Sequence, residues 1–297
     1  MSPDLPDIPP WISIRSDQLA AAIDPLGAQL SLLRDVAGRD LLWEGDPAVW
    51  AGRAPLLFPV VGSLAGGRYR LGSTHYALGR HGFARNRLFR LESAHASTAT
   101  FVLSADESSL AVYPFRFELR VLYALEGPCL TVSMQVRNED VRDMPASLGF
   151  HPGFRWPLPY GHPRGAHFLQ FECDEPAPVR RIDAHGLLRP ESFATPIVDG
   201  RLPLDDALFR DDVLILDAVR STTVSYGADR GPRIVIGFAD ARYLGLWTKP
   251  GAAFLCIEPW QGITDPAGFG GELVDKPGVL LLAPGSSRSL SMSITLR

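Results

Sequence analysis

Phe115-Arg116-Phe117-Glu118-Leu119-Arg120-Val121-Leu122-Tyr123-Ala124-Leu125 is largely a period-2 run, and Cys129-Leu130-Thr131-Val132-Ser133-Met134-Gln135-Val136-Arg137 is a cleaner one. Between them stands Glu126-Gly127-Pro128, which is turn chemistry. Alternation of this kind puts every second side chain on one face of a pleated strand, so the pair reads as a β-hairpin. Working outward, strand-like runs recur at 99–103, 223–226, 233–238 and, with strict alternation, at 289–296. The 28 glycines and 26 prolines fall mostly between such runs and argue against long helices. Many short strands separated by turns indicate an all-β chain, a large antiparallel β-sandwich with few short helices. Two-sided burial in a large sandwich accounts for the continuous apolar runs 213–216 and 279–282. No internal repeat or low-complexity linker divides the chain. Residues 1–297 read as one domain, with acidic, proline-rich residues 1–12 as a flexible arm.

Composition excludes several classes of function. A net charge of −4 with no basic stripe argues against nucleic acid. No apolar run approaches the roughly 18 residues of a membrane span, and the N-terminus lacks a secretory signal. Cys129, Cys173 and Cys256 are sparse and odd in number, which suits reduced thiols in a cytoplasmic protein. There is no HxH, HExxH or CxxC spacing to nucleate a metal site, and no glycine-rich phosphate loop or GxSxG elbow. The expectation is chemistry without metal or cofactor, on a small molecule, by a monomer or homodimer.

Three segments embed ionisable groups among glycines and aromatics: Gly79-Arg80-His81-Gly82-Phe83-Ala84-Arg85, Gly149-Phe150-His151-Pro152-Gly153-Phe154, and Cys256-Ile257-Glu258-Pro259-Trp260-Gln261-Gly262. Glu258 ends an apolar run, and a carboxylate there is costly to bury ionised unless paired. Such groups often have raised pKa values and move protons. A histidine with glycine or proline behind it projects from a defined loop. Taken singly, each of the two is more often a satisfied structural residue. Together, two histidines and a glutamate without a metal or nucleophile suit general acid–base catalysis. Trp247, Trp260, Phe83, Phe154 and Trp156 could stack on a sugar face or simply fill a core.

At these residues the chain resembles the aldose 1-epimerase (mutarotase) family, especially its bacterial mutarotase-like branch. The resemblance also covers Arg53-Ala54-Pro55-Leu56-Leu57-Phe58-Pro59-Val60-Val61-Gly62, Tyr113-Pro114-Phe115, Leu244-Gly245-Leu246-Trp247-Thr248 and Leu282-Ala283-Pro284-Gly285, in the family's order. It implies the family's β-sandwich and interconversion of the α and β anomers of a free aldose. It implies Glu258 as general base at the C1 hydroxyl, His151 as general acid at the ring oxygen, and His81 as a hydrogen-bonding group beside them. Trp247 joins the substrate-binding set. The arginine often found after the Phe-Pro-x-x-Gly segment is replaced here by Ser63, with Arg53, ahead of Arg85, as its substitute. The family's aspartate corresponds to Asp212 or its neighbour Asp211. A carbohydrate-binding protein without catalysis and a sugar-phosphate 1-epimerase are the alternatives on the same fold.

Overall fold

A computed structural model describes residues 10–297. The predicted hairpin forms from Phe117–Glu126 and Cys129–Asn138, with Glu126 paired to Cys129 and burial alternating along both strands. Gly127, at φ +50°, makes the reversal, a conformation that costs glycine little. This hairpin lies inside a nine-stranded antiparallel sheet, with two strands on one side and five on the other. On one side follow Thr98–Ser104 and Arg90–Ala94. On the other follow Ser287–Leu296, Ile234–Gly237, Thr223–Gly227, Phe168–Phe171 and Arg201–Pro203.

A second, eight-stranded sheet contains Leu188–Phe193, Val179–Ile182, Leu214–Leu216, Tyr243–Trp247, Phe254–Gln261, Leu148–Phe150 and Leu56–Leu57, with Gly153–Arg155 also paired to Phe254–Gln261. The two large sheets form a β-sandwich. Its largest apolar cluster draws side chains from Ile14 to Ile294. Among the described residues the one α-helix is Glu107–Val112, capped by reciprocal bonds between Asp106 and Ser109. No helix among them is long and apolar enough to cross a membrane.

Two expectations change. Residues 1–9 of the supposed arm lie outside the described residues, and Ile12 already pairs with Ile23 in a three-stranded sheet. The apolar run 279–282 is not buried on both faces. Leu280–Leu282 pairs with Met144–Ala146 in a two-stranded ribbon, which leaves Leu281 49% exposed. By contrast, Leu214–Leu216 is buried throughout.

Candidate active site

Phe254–Gln261 is buried along almost its whole length, and its two faces do different things. Leu255 and Ile257 enter the main core, whereas Cys256, Glu258 and Trp260 share the opposite face. Glu258 pairs with Gly245. A Cβ at Gly245 would lie 2.4 Å from the Trp260 ring, and one at Gly149 would lie 2.9 Å from it. The two glycines therefore make room for an indole beside the carboxyl group.

His151 stands where one neighbour of this strand is interrupted. Leu148 and Gly149 pair with Gln261 and Trp260, and pairing resumes with Gly153 opposite Cys256. The three skipped residues, Phe150, His151 and Pro152, stand across from 257–259, which sets His151 opposite Glu258, and the imidazole turns toward it. His151 Nε2 is 3.2 Å from Glu258 Oε2.

His81 arrives on a tight turn in which Gly82 N–H donates to Gly79 O at 3.0 Å. A Cβ at Gly82 would fall 2.2 Å from Phe58 O, so only glycine fits behind the histidine. His81 and Gly62 bond reciprocally: His81 N–H donates to Gly62 O at 2.9 Å, and Gly62 N–H donates to His81 Nδ1 at 3.1 Å. The two imidazoles meet edge to face with centroids 5.5 Å apart.

These groups line one cleft of 170 Å³ together with Trp50, Arg80, Arg85, Val213, Trp247 and Trp260. Burial pushes the Glu258 carboxyl well above its ordinary range; the Arg80 charge opposes that shift and the Asp212 charge adds to it. Burial lowers His151 to about 3, with Arg80 and Arg85 pressing the same way against a backbone contact that opposes them. Burial also takes His81 well below 6.5, helped by His151, Arg80 and Arg85. Burial in this cleft thus favours neutral imidazoles and a protonated carboxyl. Glu258 has only the His151 Nε2 approach and the Trp260 indole N–H beside it, and His151 Nδ1 is buried without a hydrogen-bond partner among the described residues. Buried polar atoms are usually satisfied, and a carboxyl with spare acceptor capacity beside an unpartnered imidazole nitrogen suits a polar ligand.

His81, His151, Glu258 and Trp247 therefore come together, but Arg53 does not join them. Its guanidinium donates to Ser31 O at 2.7 Å and lies 4.9 Å over the Trp11 ring, tying the three-stranded sheet to the body. The cleft's cations are instead Arg80, at its rim, and Arg85, whose Nη2 donates to Arg80 O at 2.9 Å. Asp212 lines an adjoining outer pocket of 660 Å³ with Asp211 and Arg80. Its Oδ1 accepts the Val213 N–H at 2.7 Å. Ser63 turns to the segment beyond Glu258, donating its N–H to Thr264 Oγ1 at 3.0 Å. Trp50 was not apparent from sequence. Its clearest sign is steric: a Cβ at Gly52 or Gly153 would come within 2.6 or 2.8 Å of its ring.

The comparisons agree with this architecture. The chain is 33% identical to protein LacX of Lactococcus lactis subsp. lactis over 296 residues, covering 96% of this chain and 99% of that protein. The crystal structure of a galactose mutarotase related enzyme from Lactobacillus acidophilus superposes with a TM-score of 0.90 at 30% identity, covering 97% of each chain. A galactose mutarotase-like protein from Lactobacillus casei also superposes with a TM-score of 0.90, at 29% identity, covering 97% of this chain and 100% of that one. The family model for aldose 1-epimerase matches residues 10–272. With its sandwich and cleft now described, the chain belongs to the aldose 1-epimerase family.

Proposed function

We propose that the protein interconverts the anomers of a free hexose by general acid–base ring opening, with Glu258 and His151 as the proton-transfer pair and His81 as an uncharged hydrogen-bonding group. The observation that carries this reading is the 3.2 Å approach of His151 Nε2 to Glu258 Oε2, with both side chains buried at the base of the cleft. Mutarotation moves one proton off the C1 hydroxyl and one onto the ring oxygen, with no net change. A pair that holds one proton between two sites can do both.

Burial by itself keeps that proton on Glu258, because a neutral acid and a neutral imidazole cost less to bury than an ion pair. A bound sugar changes the balance. Its hydroxyl donors reach the Glu258 carboxyl and stabilise the carboxylate, and the proton passes to His151 Nε2. Glu258 then removes the C1 hydroxyl proton while His151 protonates the ring oxygen, and the C1–O5 bond opens. Rotation about C1–C2 and reclosure by the reverse transfers give the other anomer. Each transfer supplies about 10²–10⁴-fold in rate. Trp247 and Trp260 offer apolar surface for the sugar's C–H groups.

Arg80 and Arg85 favour a second reading, a phosphorylated aldose, because neither has a carboxylate ion-pair partner among the described residues. Polarimetry or NMR exchange on freshly dissolved α-D-glucose, α-D-galactose and glucose 6-phosphate tests both. Faster equilibration that disappears in Glu258→Gln supports acid–base anomerisation, and the favoured substrate separates the two readings. No acceleration with any of the three would leave a carbohydrate-binding role.

A further inference from the structure

The indole of Trp50 lies against His151 with centroids 5.1 Å apart and planes only 31° from parallel, so it covers one face of the imidazole. Trp247 meets the same imidazole edge-on at 5.8 Å and 82°, and meets Trp50 at 5.5 Å and 81°. Phe254 backs Trp50 at 5.0 Å. The segment carrying Trp50 is tied at several points. Trp50 N–H donates to Asp46 O at 2.8 Å, and Trp43 Nε1 donates to Trp50 O at 2.8 Å. Lys249 Nζ also reaches Val49 O.

Room for the ring is left by two glycines, one in its own segment and one in the segment of His151. Gly52 and Gly153 lack a side chain where a Cβ would stand 2.6 and 2.8 Å from indole carbons. Gly153 is two residues beyond His151 in the same chain segment, so the backbone that presents the imidazole also seats its cover. His151 nevertheless remains only 8% exposed, although it lines an open cleft.

We propose that Trp50 is the positioning residue of the proton-transfer pair: its indole covers the face of His151, excludes water from the imidazole and holds Nε2 against Glu258. Without that cover, His151 would face the cleft solvent and could rotate away from Oε2. The other titratable or charged groups around the ring are His81, Glu258, Cys256, Arg80 and Arg85. None of them replaces an apolar lid. Since burial is the largest influence on His151, uncovering it restores a more ordinary imidazole.

NMR titration of the His151 imidazole tests this in the protein without substrate, with His151→Asn identifying the signal. The native ring is expected to stay unprotonated down to about pH 4. In Trp50→Ala its midpoint moves up toward 6.5, the ordinary histidine value, and Trp50→Phe, which keeps a flat apolar cover, stays near the native behaviour. Gly153→Ala, which pushes the indole aside without removing it, gives the same upward shift and stands in if Trp50→Ala fails to fold. The proposal is overturned if folded Trp50→Ala or Gly153→Ala leaves His151 untitrated to pH 4. The measurement needs no turnover, so it stands or falls separately from the mutarotase reading. If that reading also holds, Trp50→Ala lowers kcat about 10–100-fold, more than it raises KM.

Discussion

Arg80 Nε stands 3.2 Å from His81 Nε2, while the opposite ring nitrogen of His81 faces the Gly62 N–H at 3.1 Å. A donor therefore confronts each nitrogen of one imidazole. A neutral imidazole has a single lone pair, so only one of the two contacts is a hydrogen bond. The Gly62 contact belongs to a reciprocal backbone pair and is the one set in place. That assigns the proton to Nε2 and leaves Arg80 Nε without an acceptor, so the guanidinium has little to hold it over the cleft.

His81 is accordingly expected to remain uncharged with its proton on Nε2 throughout ordinary buffer conditions. Its burial and the nearby Arg80 and Arg85 charges all oppose a second proton. Nitrogen-15 NMR distinguishes the tautomers. An imidazolium pattern appearing near pH 6.5 would contradict the assignment.

Glu258→Gln and His151→Asn should each cut anomerisation by about 10²–10⁴-fold, since each removes one proton-transfer partner. Both replacements stay close to the original size, so the fold should persist. Rates near the native value in either variant, with unchanged circular dichroism, would exclude that residue from the proposed transfer.

The same two residues should bend the stability profile in opposite senses. His151 has a depressed folded-state pKa, so its contribution is present above the unfolded value of about 6.5 and is lost as pH falls. Between pH 7.5 and 5.5 that loss amounts to about 1.4 kcal/mol, and His151→Asn should escape it. Glu258 has a raised folded-state pKa, so its contribution is present below the unfolded value of about 4.5 and is lost as pH rises. Glu258→Gln should flatten the profile above pH 5. Denaturant midpoints across pH 5–8 measure both slopes.

A buried charge pair supports the segment beyond Phe254–Gln261. Lys276 Nζ lies 2.5 Å from Asp265 Oδ1, both side chains almost fully buried, and Asp265 Oδ2 accepts the Ala65 N–H at 2.8 Å. Asp265 N–H also donates to Ser63 O at 3.0 Å. Lys276→Met strands a buried carboxylate and should cost about 3–5 kcal/mol. Adding Asp265→Asn keeps an acceptor for Ala65 while removing the charge. The double variant should therefore be more stable than Lys276→Met alone in thermal or denaturant unfolding.

Strand alternation made the central hairpin legible, because Phe117–Glu126 and Cys129–Asn138 each have one buried face. The run at 279–282 misled because apolar residues at a two-stranded ribbon look, in one dimension, like a strand buried on both faces. His81, His151 and Glu258 stood out because each lies among residues that restrict or release the backbone. Arg53 and Arg85 offered no such distinction. A guanidinium at the end of a long side chain takes its partner from the fold, and Gln29 and Ser31 draw the Arg53 region to the three-stranded sheet. Trp50 was hidden for a related reason: its neighbours His151, Trp247 and Phe254 are remote in sequence.

The two-faced strand Phe254–Gln261 imposes a parity rule on the gene. Successive residues there alternate between the core and the cleft, so inserting or deleting one codon inside the strand exchanges the two sets. Glu258 would be driven among Leu255 and Ile257's partners, and an isoleucine or proline would face the cleft. Substitutions along this strand can be graded by size and polarity, but a change of one in its length has no mild form. Length variation is tolerable only outside it, in the turns that precede Phe254 and follow Gln261.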